Sequence, residues 1–174
     1  MTTRKILIEP DPILRKKSSP LENVDDQTRK LMKDMLETMY KAPGIGLAAT
    51  QIGILKRIVV IDISKDEKKK NPLFFVNPEI TFRSKNTSVY EEGCLSLPGQ
   101  FAEIERPAEC HVKYINFDGK IKELKADGLL STCIQHEVDH LNGILFIDYL
   151  SKLKKNMIIK KLLKQKKASQ RIVV

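Results

Sequence analysis

The chain has no tryptophan, three cysteines and three histidines in 174 residues, and each shortage excludes something. Cysteines at positions 94, 110 and 133 are too few and too unevenly spaced for a disulfide-framed secreted module, which points to a reducing compartment. No apolar run approaches the roughly 18 residues that a membrane span needs, so no membrane role is expected. The opening stretch Met1–Pro10 holds neither a signal h-region nor a transit-type segment, and a cytoplasmic location is expected. Internal repeats and low-complexity tracts are absent too, so the expectation is one domain over residues 1–174. A chain of this length buries roughly 70% of its unfolded surface.

What is present is concentrated in a few segments. Gln135-His136-Glu137-Val138-Asp139-His140 spells H-E-x-x-H and uses two of the three histidines. On a helix, positions four apart share a face about 6 Å apart along the axis, so His136 and His140 can grip one metal ion. Glu137 lies about 100° round and can reach a water on that metal. A helix is expected here: Asp127-Gly128 offers a start, Leu130, Ile134, Val138 and Leu141 form an apolar stripe, and Asn142-Gly143 reads as a stop.

A catalytic metal usually takes three protein ligands and keeps one open position. The protease extension H-E-x-x-H-x-x-G-x-x-H fails, because Phe146 stands where its last histidine would be. A later glutamate is excluded, since none follows Glu137, and Asp148 is better read as a solvated carboxylate. Among upstream candidates, Cys133 lies three residues before His136 on the same helical face. That puts it about a turn below the metal, at the floor of a pocket. Cys110 and His111 are adjacent in an alternating strand and face opposite sides, which suggests a core cysteine and an exposed histidine. Cys94 is the strongest candidate. Gly93 permits a sharp turn before it, Pro98-Gly99 closes the loop after it, and the amide of Leu95 is free to face a ligand. A thiolate with two imidazoles suits a borderline ion such as Zn²⁺, Fe²⁺, Ni²⁺ or Co²⁺. A third segment, Gly44-Ile45-Gly46-Leu47-Ala48-Ala49-Thr50-Gln51, lets backbone approach a ligand closely and ends in an amide donor.

Around these motifs, Asp25 to Ala42 has helical periodicity, its methionines Met32, Met35 and Met39 forming core. Strands are expected at Arg57 to Ile63, Leu73 to Val76, Ile80 to Arg83 and Val89 to Glu91. A further pair, Cys110 to Phe117 and Lys120 to Lys125, is joined by an Asp118-Gly119 hairpin turn. A C-terminal helix is expected from about Ser151 to Ala168, with eight lysines and no acid, supplying much of the net charge of +9. The fold class expected is α+β. Short, mostly antiparallel strands pack around a central H-E-x-x-H helix, with one helix before it and a basic one after.

Together the three motifs resemble those of peptide deformylases, G-φ-G-φ-A-A-x-Q, E-G-C-φ-S and Q-H-E-φ-D-H with φ apolar. They stand here as Gly44 to Gln51, Glu92 to Ser96 and Gln135 to His140, without a mismatch, in a resemblance spanning roughly residues 5 to 168. It implies an enzyme that removes the formyl group from the N-terminal formylmethionine of new polypeptides and releases formate. It also implies a bacterial host. By motif position Cys94, His136 and His140 would hold the metal, Fe²⁺ in the cell, with Zn²⁺, Ni²⁺ or Co²⁺ able to substitute. Glu137 would act as general base and then acid, and Gln51 with the Leu95 N–H would stabilise the oxyanion. Ile45, Gly46 and Cys133, with His136, would form the methionine slot. One departure stands out: some bacterial members carry arginine seven residues beyond the motif cysteine, where this chain has Phe101.

Nascent formylmethionyl peptides are the partner so implied, and the basic C-terminal helix suggests a ribosomal RNA contact, with no DNA partner expected. Two other readings compete. One is a metallopeptidase with an unusual Cys-His-His ligand set; the other is a non-catalytic rRNA-binding protein with a structural metal. A purely structural site has no use for Glu137 or Gln51, which weighs against the second.

Overall fold

A computed structural model of the chain describes residues 2–171. Helix α1 (Asp26–Lys41) is capped by Asp25, whose carboxylate accepts from the Thr28 N–H at 2.7 Å. Seven strands follow before the central helix: β1 (Gly46–Ala48), β2 (Ile58–Ile61), β3 (Leu73–Arg83), β4 (Thr87–Cys94), β5 (Leu97–Pro107), β6 (Glu109–Ile115) and β7 (Ile121–Asp127). Helices α2 (Gly128–Leu141) and α3 (Lys152–Arg171) complete the order. Five strands form an antiparallel sheet in the order β1-β2-β3-β6-β7, and β4 and β5 pair separately. The architecture is α+β.

The unbroken apolar run of β2 explains the layering. Successive strand residues face opposite sides, so Ile58 and Val60 pack with Met32, Met35 and Met39 of α1, while Val59 and Ile61 pack with Cys133, Ile134 and Val138 of α2. Both sheet faces are therefore covered and all four β2 residues are buried. The methionine stripe is core, as its spacing indicates. A third apolar cluster, with Leu97, Ile104, Phe146 and Leu162, ties α3 to the β4–β5 hairpin. The cluster shared with the sheet seats Cys133, Ile134, Val138 and Leu141 of α2, which fixes the face carrying His136 and His140.

Several elements differ from their sequence expectation, each for a physical reason. Leu73–Val76 and Ile80–Arg83 are one strand, β3, bent rather than broken where its register against β6 shifts. Asn77 sits at the bend with φ 51°, accepting from the Leu21 N–H at 2.9 Å and donating to the Leu21 carbonyl at 2.7 Å. Pro98 and Gly99 do not close a loop: they begin β5, an eleven-residue strand not expected at all, and the turn is made by Leu95 and Ser96. The short β1 was also hidden, inside the glycine-rich motif. The strand expected over Arg57–Ile63 is shorter, Val89–Glu91 extends to Thr87–Cys94, and α3 starts one residue later than Ser151. The hairpin turn at Asp118-Gly119 joins β6 to β7 with Gly119 at φ 82°, and Gly143 ends α2 at φ 75°. His111 is half-buried rather than exposed, its ring 4.6 Å from that of Phe82.

Candidate active site

The site lies where α2, the β4–β5 turn and the glycine-rich segment meet. From Ser131 to Leu141 every residue of α2 but Asp139 is buried, so its imidazoles are presented from a fixed scaffold. Cys94, at the end of β4, is brought opposite by the hairpin, and its Sγ lies 3.2 Å from His140 Nε2. One donor atom from each of Cys94, His136 and His140 falls within 4.8 Å of the others. Among the described residues this is the sole such group of three.

Buried polar atoms around it are aimed rather than paired off. Glu137 Oε2 and His140 Nδ1 are buried without a hydrogen-bond partner among the described residues, which in a folded interior signals a group that belongs there. His136 Nδ1 faces Glu92 Oε1 at 2.8 Å, so its other ring nitrogen is the one free to serve as a donor to an ion. A soft thiol and two fixed imidazoles, with a buried carboxyl beside them, fit a divalent transition metal.

Charges behave accordingly. Burial pushes the Glu137 carboxyl up to about 7, with the opposing pull of His136 only partly offsetting it. Burial also drives His140 far down from the usual imidazole range, so it stands as a neutral ligand-ready base. Burial alone would lower His136 too, but its contacts with Cys94 and Glu92 outweigh that and raise it. The Cys133 thiol is pushed well up by burial and stays protonated, consistent with a lining group and not a ligand.

Gln51 is oriented by its own backbone neighbourhood. Its Oε1 accepts from the Ala48 N–H at 2.9 Å, which commits the carbonyl end. Its Nε2 then points to Ser96 Oγ at 3.1 Å and Cys94 Sγ at 3.4 Å, toward the site. Gly46 explains itself in the same way. A Cβ there would collide with the Glu137 carboxylate and come within 3.0 Å of Cys133 Sγ. Ile45, Gly46, Gln51, Leu95, Cys133 and Glu137 all line one cavity of about 440 Å³ that also reaches Cys94 and His136. Asp148 is elsewhere: it pairs with Arg15 at 2.6 Å and Lys155 at 2.6 Å, so it is neither a ligand nor merely solvated.

A buried ionic network behind the site was not anticipated from the sequence. Arg106 clasps Glu92 through two bonds, at 2.7 and 3.0 Å, and reaches Asp139 at 2.8 Å. Tyr149 donates to the same Asp139 oxygen at 2.7 Å, and its ring lies 4.8 Å from the guanidinium carbon. Burial alone would raise Glu92, but His136 and Arg106 outweigh it and hold that carboxyl low. The only signal for Arg106 is its place two residues after Ile104, on the inner face of β5, and that strand has to be recognised first.

Known proteins share this chain's sequence and fold. Residues 3–156 match the family described as Polypeptide deformylase. The peptide deformylase of Pelagibacter ubique is 66% identical over the full length of both chains. That of Rhizobium meliloti is 54% identical over 96% of each. Among solved structures, the peptide deformylase of Ehrlichia chaffeensis superposes with a TM-score of 0.92 at 39% identity, covering 97% of this chain and 99% of that one. A structure of an Ehrlichia chaffeensis peptide deformylase in complex with actinonin superposes at 0.89 with 42% identity, over 95% and 98%. Relatives at this identity across the whole chain leave one assignment: the chain belongs to the polypeptide deformylase family and is a hydrolase that removes N-formyl groups.

Proposed function

We propose that Cys94, His136 and His140 hold the metal of this deformylase, that the ion is Fe²⁺ in the cell, and that Glu137, Gln51 and Leu95 carry the rest of the chemistry. The observation that bears most weight is the convergence of those three donors beside a buried, unpartnered Glu137 in a cavity. When bound, the metal supplies Lewis acidity toward water and the formyl oxygen. Glu137 accepts the proton of the attacking water on its carboxylate and afterwards returns it to the departing amine nitrogen. As the formyl carbon becomes tetrahedral, charge grows on its oxygen, and Gln51 Nε2 with the Leu95 N–H donates to it. One preorganised donor of this kind is worth about 3 kcal/mol of barrier. Gln51 suits the task because its carbonyl end is already committed to Ala48.

Methionine is placed against Ile45, Gly46, Cys133 and His136, an apolar wall whose sulfur is a neutral thiol. The glycine leaves the width that a side chain would fill. Discrimination by size alone is worth about 1–3 kcal/mol, so acetylated peptides are disfavoured, not absolutely refused. The substrate is the formylmethionyl end of a nascent chain in the cytoplasm of a bacterium. Protein purified anaerobically should release formate from formyl-Met-Ala-Ser, carry iron by elemental analysis, and leave unformylated peptides intact. A folded, iron-loaded sample that releases no formate overturns this reading, and release of free amino acids would favour the metallopeptidase.

A ribosomal RNA contact through α3 fits its surface. Seven of its eight lysines, all but Lys155, are exposed, while Leu162 anchors the helix to the apolar cluster beneath. Deleting residues 152–174 should abolish co-sedimentation with ribosomes at low salt. Unchanged co-sedimentation would sink the idea.

A further inference from the structure

We infer that the groove between β5 and α3 is a second subsite for the substrate chain, taking an acidic and apolar segment several residues beyond the formylmethionine. This rests on the deformylase reading of the main cavity and extends it along the polypeptide.

Phe101 connects the two places. It pairs with Gly93 across the β4–β5 ladder, and a Cβ on Gly93 would meet two of its ring carbons at 2.5 and 2.6 Å, so the ring packs directly against the glycine. Yet the residue is 63% exposed. Phe101 lines the active-site cavity and also a neighbouring groove of about 460 Å³. A polypeptide held by its amino end in the first cavity must leave over the rim, and at this rim the next surface is that groove.

The groove has a chemistry of its own. Leu150, Met157 and Ile158 give it an apolar floor, and Met157 is 51% exposed. Lys154 and Lys161 flank that floor, seven residues apart on α3, so they stand on one face about 10 Å apart with Met157 and Ile158 between them. Both lysines are exposed, whereas Lys155 on the same helix is tied to Asp148. Glu103 is the one carboxylate in the lining, so two cations face one anion. A peptide in the polyproline II conformation advances about 3.1 Å per residue and returns a side chain to the same face every third residue. Acidic side chains about three positions apart, with apolar residues between, would therefore match both lysines and the floor. Nucleic acid would use the lysines but not Met157 or the Phe101 edge, which favours a peptide at Lys154 and Lys161 and leaves the five exposed lysines of α3 outside the groove to the RNA contact.

The test compares kcat/KM for formyl-Met-Ala-Ser with that for two formylated peptides of about ten residues, carrying Asp-Leu-Leu-Asp or Lys-Leu-Leu-Lys beyond the first four positions. Two exposed ion pairs predict a preference of about fivefold for the acidic peptide, residing in KM and collapsing toward one in high salt. The Lys154→Glu/Lys161→Glu variant should reverse the order. Equal values for the two long peptides, or a preference untouched by the double charge reversal, would overturn the subsite while the tripeptide still reports deformylation. Should the tripeptide itself yield no formate, the deformylase reading fails separately. Anisotropy of the C-terminally labelled acidic peptide on the same metal-loaded protein then reads the groove, and no weakening in the double variant overturns it. Binding of a short RNA lost in that variant, without acidic-peptide preference, would assign the lysines to nucleic acid instead.

Discussion

Glu137→Gln should leave the metal in place and lower kcat/KM for formyl-Met-Ala-Ser by about 10²- to 10⁴-fold, the range of a lost general acid–base group. The substitution keeps the shape that packs against Gly46 and Cys133, so neither the cavity nor the helix has reason to change. What it removes is a carboxylate able to accept a proton. The pH profile gives an independent reading. Burial raises the Glu137 carboxyl to about 7 in the protein without an ion, and a nearby cation favours the charged form and lowers it again. A base works only when deprotonated, so wild-type kcat/KM should rise with pH along a limb that lies below about 7 in the metal-loaded enzyme. The variant should lose that limb along with its activity. Equal metal content by elemental analysis separates this outcome from loss of the ligand set, and near-normal turnover in a metal-loaded variant would remove Glu137 from the chemistry.

The grouping of the candidate residues was legible in the sequence wherever it is encoded locally. His136, Glu137 and His140 need only a helix to bring them together, and helical spacing is visible in any such run. Gln51 and Cys94 are further off, but their surroundings constrain them: glycines where backbone must approach, and a turn that displays sulfur. The structure lines one cavity with Gln51, Cys94, His136 and Glu137, and sets a donor atom of His140 within 4.8 Å of those of Cys94 and His136. What could not be read depends on pairing between distant segments. β5 has Pro98 and Gly99 at its start and charges at Glu103, Glu105 and Arg106, so it has no apolar run, and its inner face is defined only once β4 pairs beside it and Phe146 and Leu162 pack on it. The sheet order carries the same lesson. β3 pairs with β6, across the β4–β5 hairpin, because the bend at Asn77 and the clusters on either face favour it, and nothing local announces that partner. Arg106 is hidden for both reasons at once: a buried arginine looks like a surface one until its strand and its partners are known.

That arginine makes the largest stability prediction. Arg106→Met should destabilise the fold by about 3–5 kcal/mol, because it leaves buried carboxylates without their countercharge. Arg106 and Glu92 have side chains only 4% and 5% exposed, and Asp139 14%, so water cannot replace the guanidinium. The sign of the accompanying pH effect follows from Glu92. Its carboxyl is held below the ordinary range in the folded protein, so the pair contributes stability that is present above the unfolded value and lost as pH falls through the folded one. With the arginine gone, burial is the largest remaining influence on Glu92 and pushes it upward, so the variant should be least disadvantaged in acid, where wild type has lost the same contribution. Chemical denaturation at pH 7 and pH 4 reads both effects. Glu92→Gln added to Arg106→Met should recover part of the loss, since it removes the stranded charge. The site should register the change as well. Glu92 fixes the ring of His136 at 2.8 Å and is itself fixed by Arg106, so metal affinity should fall about 10- to 100-fold in Arg106→Met. Arg106→Lys should fall between, because an ammonium keeps the charge but cannot span Glu92 and Asp139 with one planar fork. If Arg106→Met were as stable as wild type with unchanged metal affinity, the network would be decoration behind the site, and His136 would owe its orientation to α2 alone.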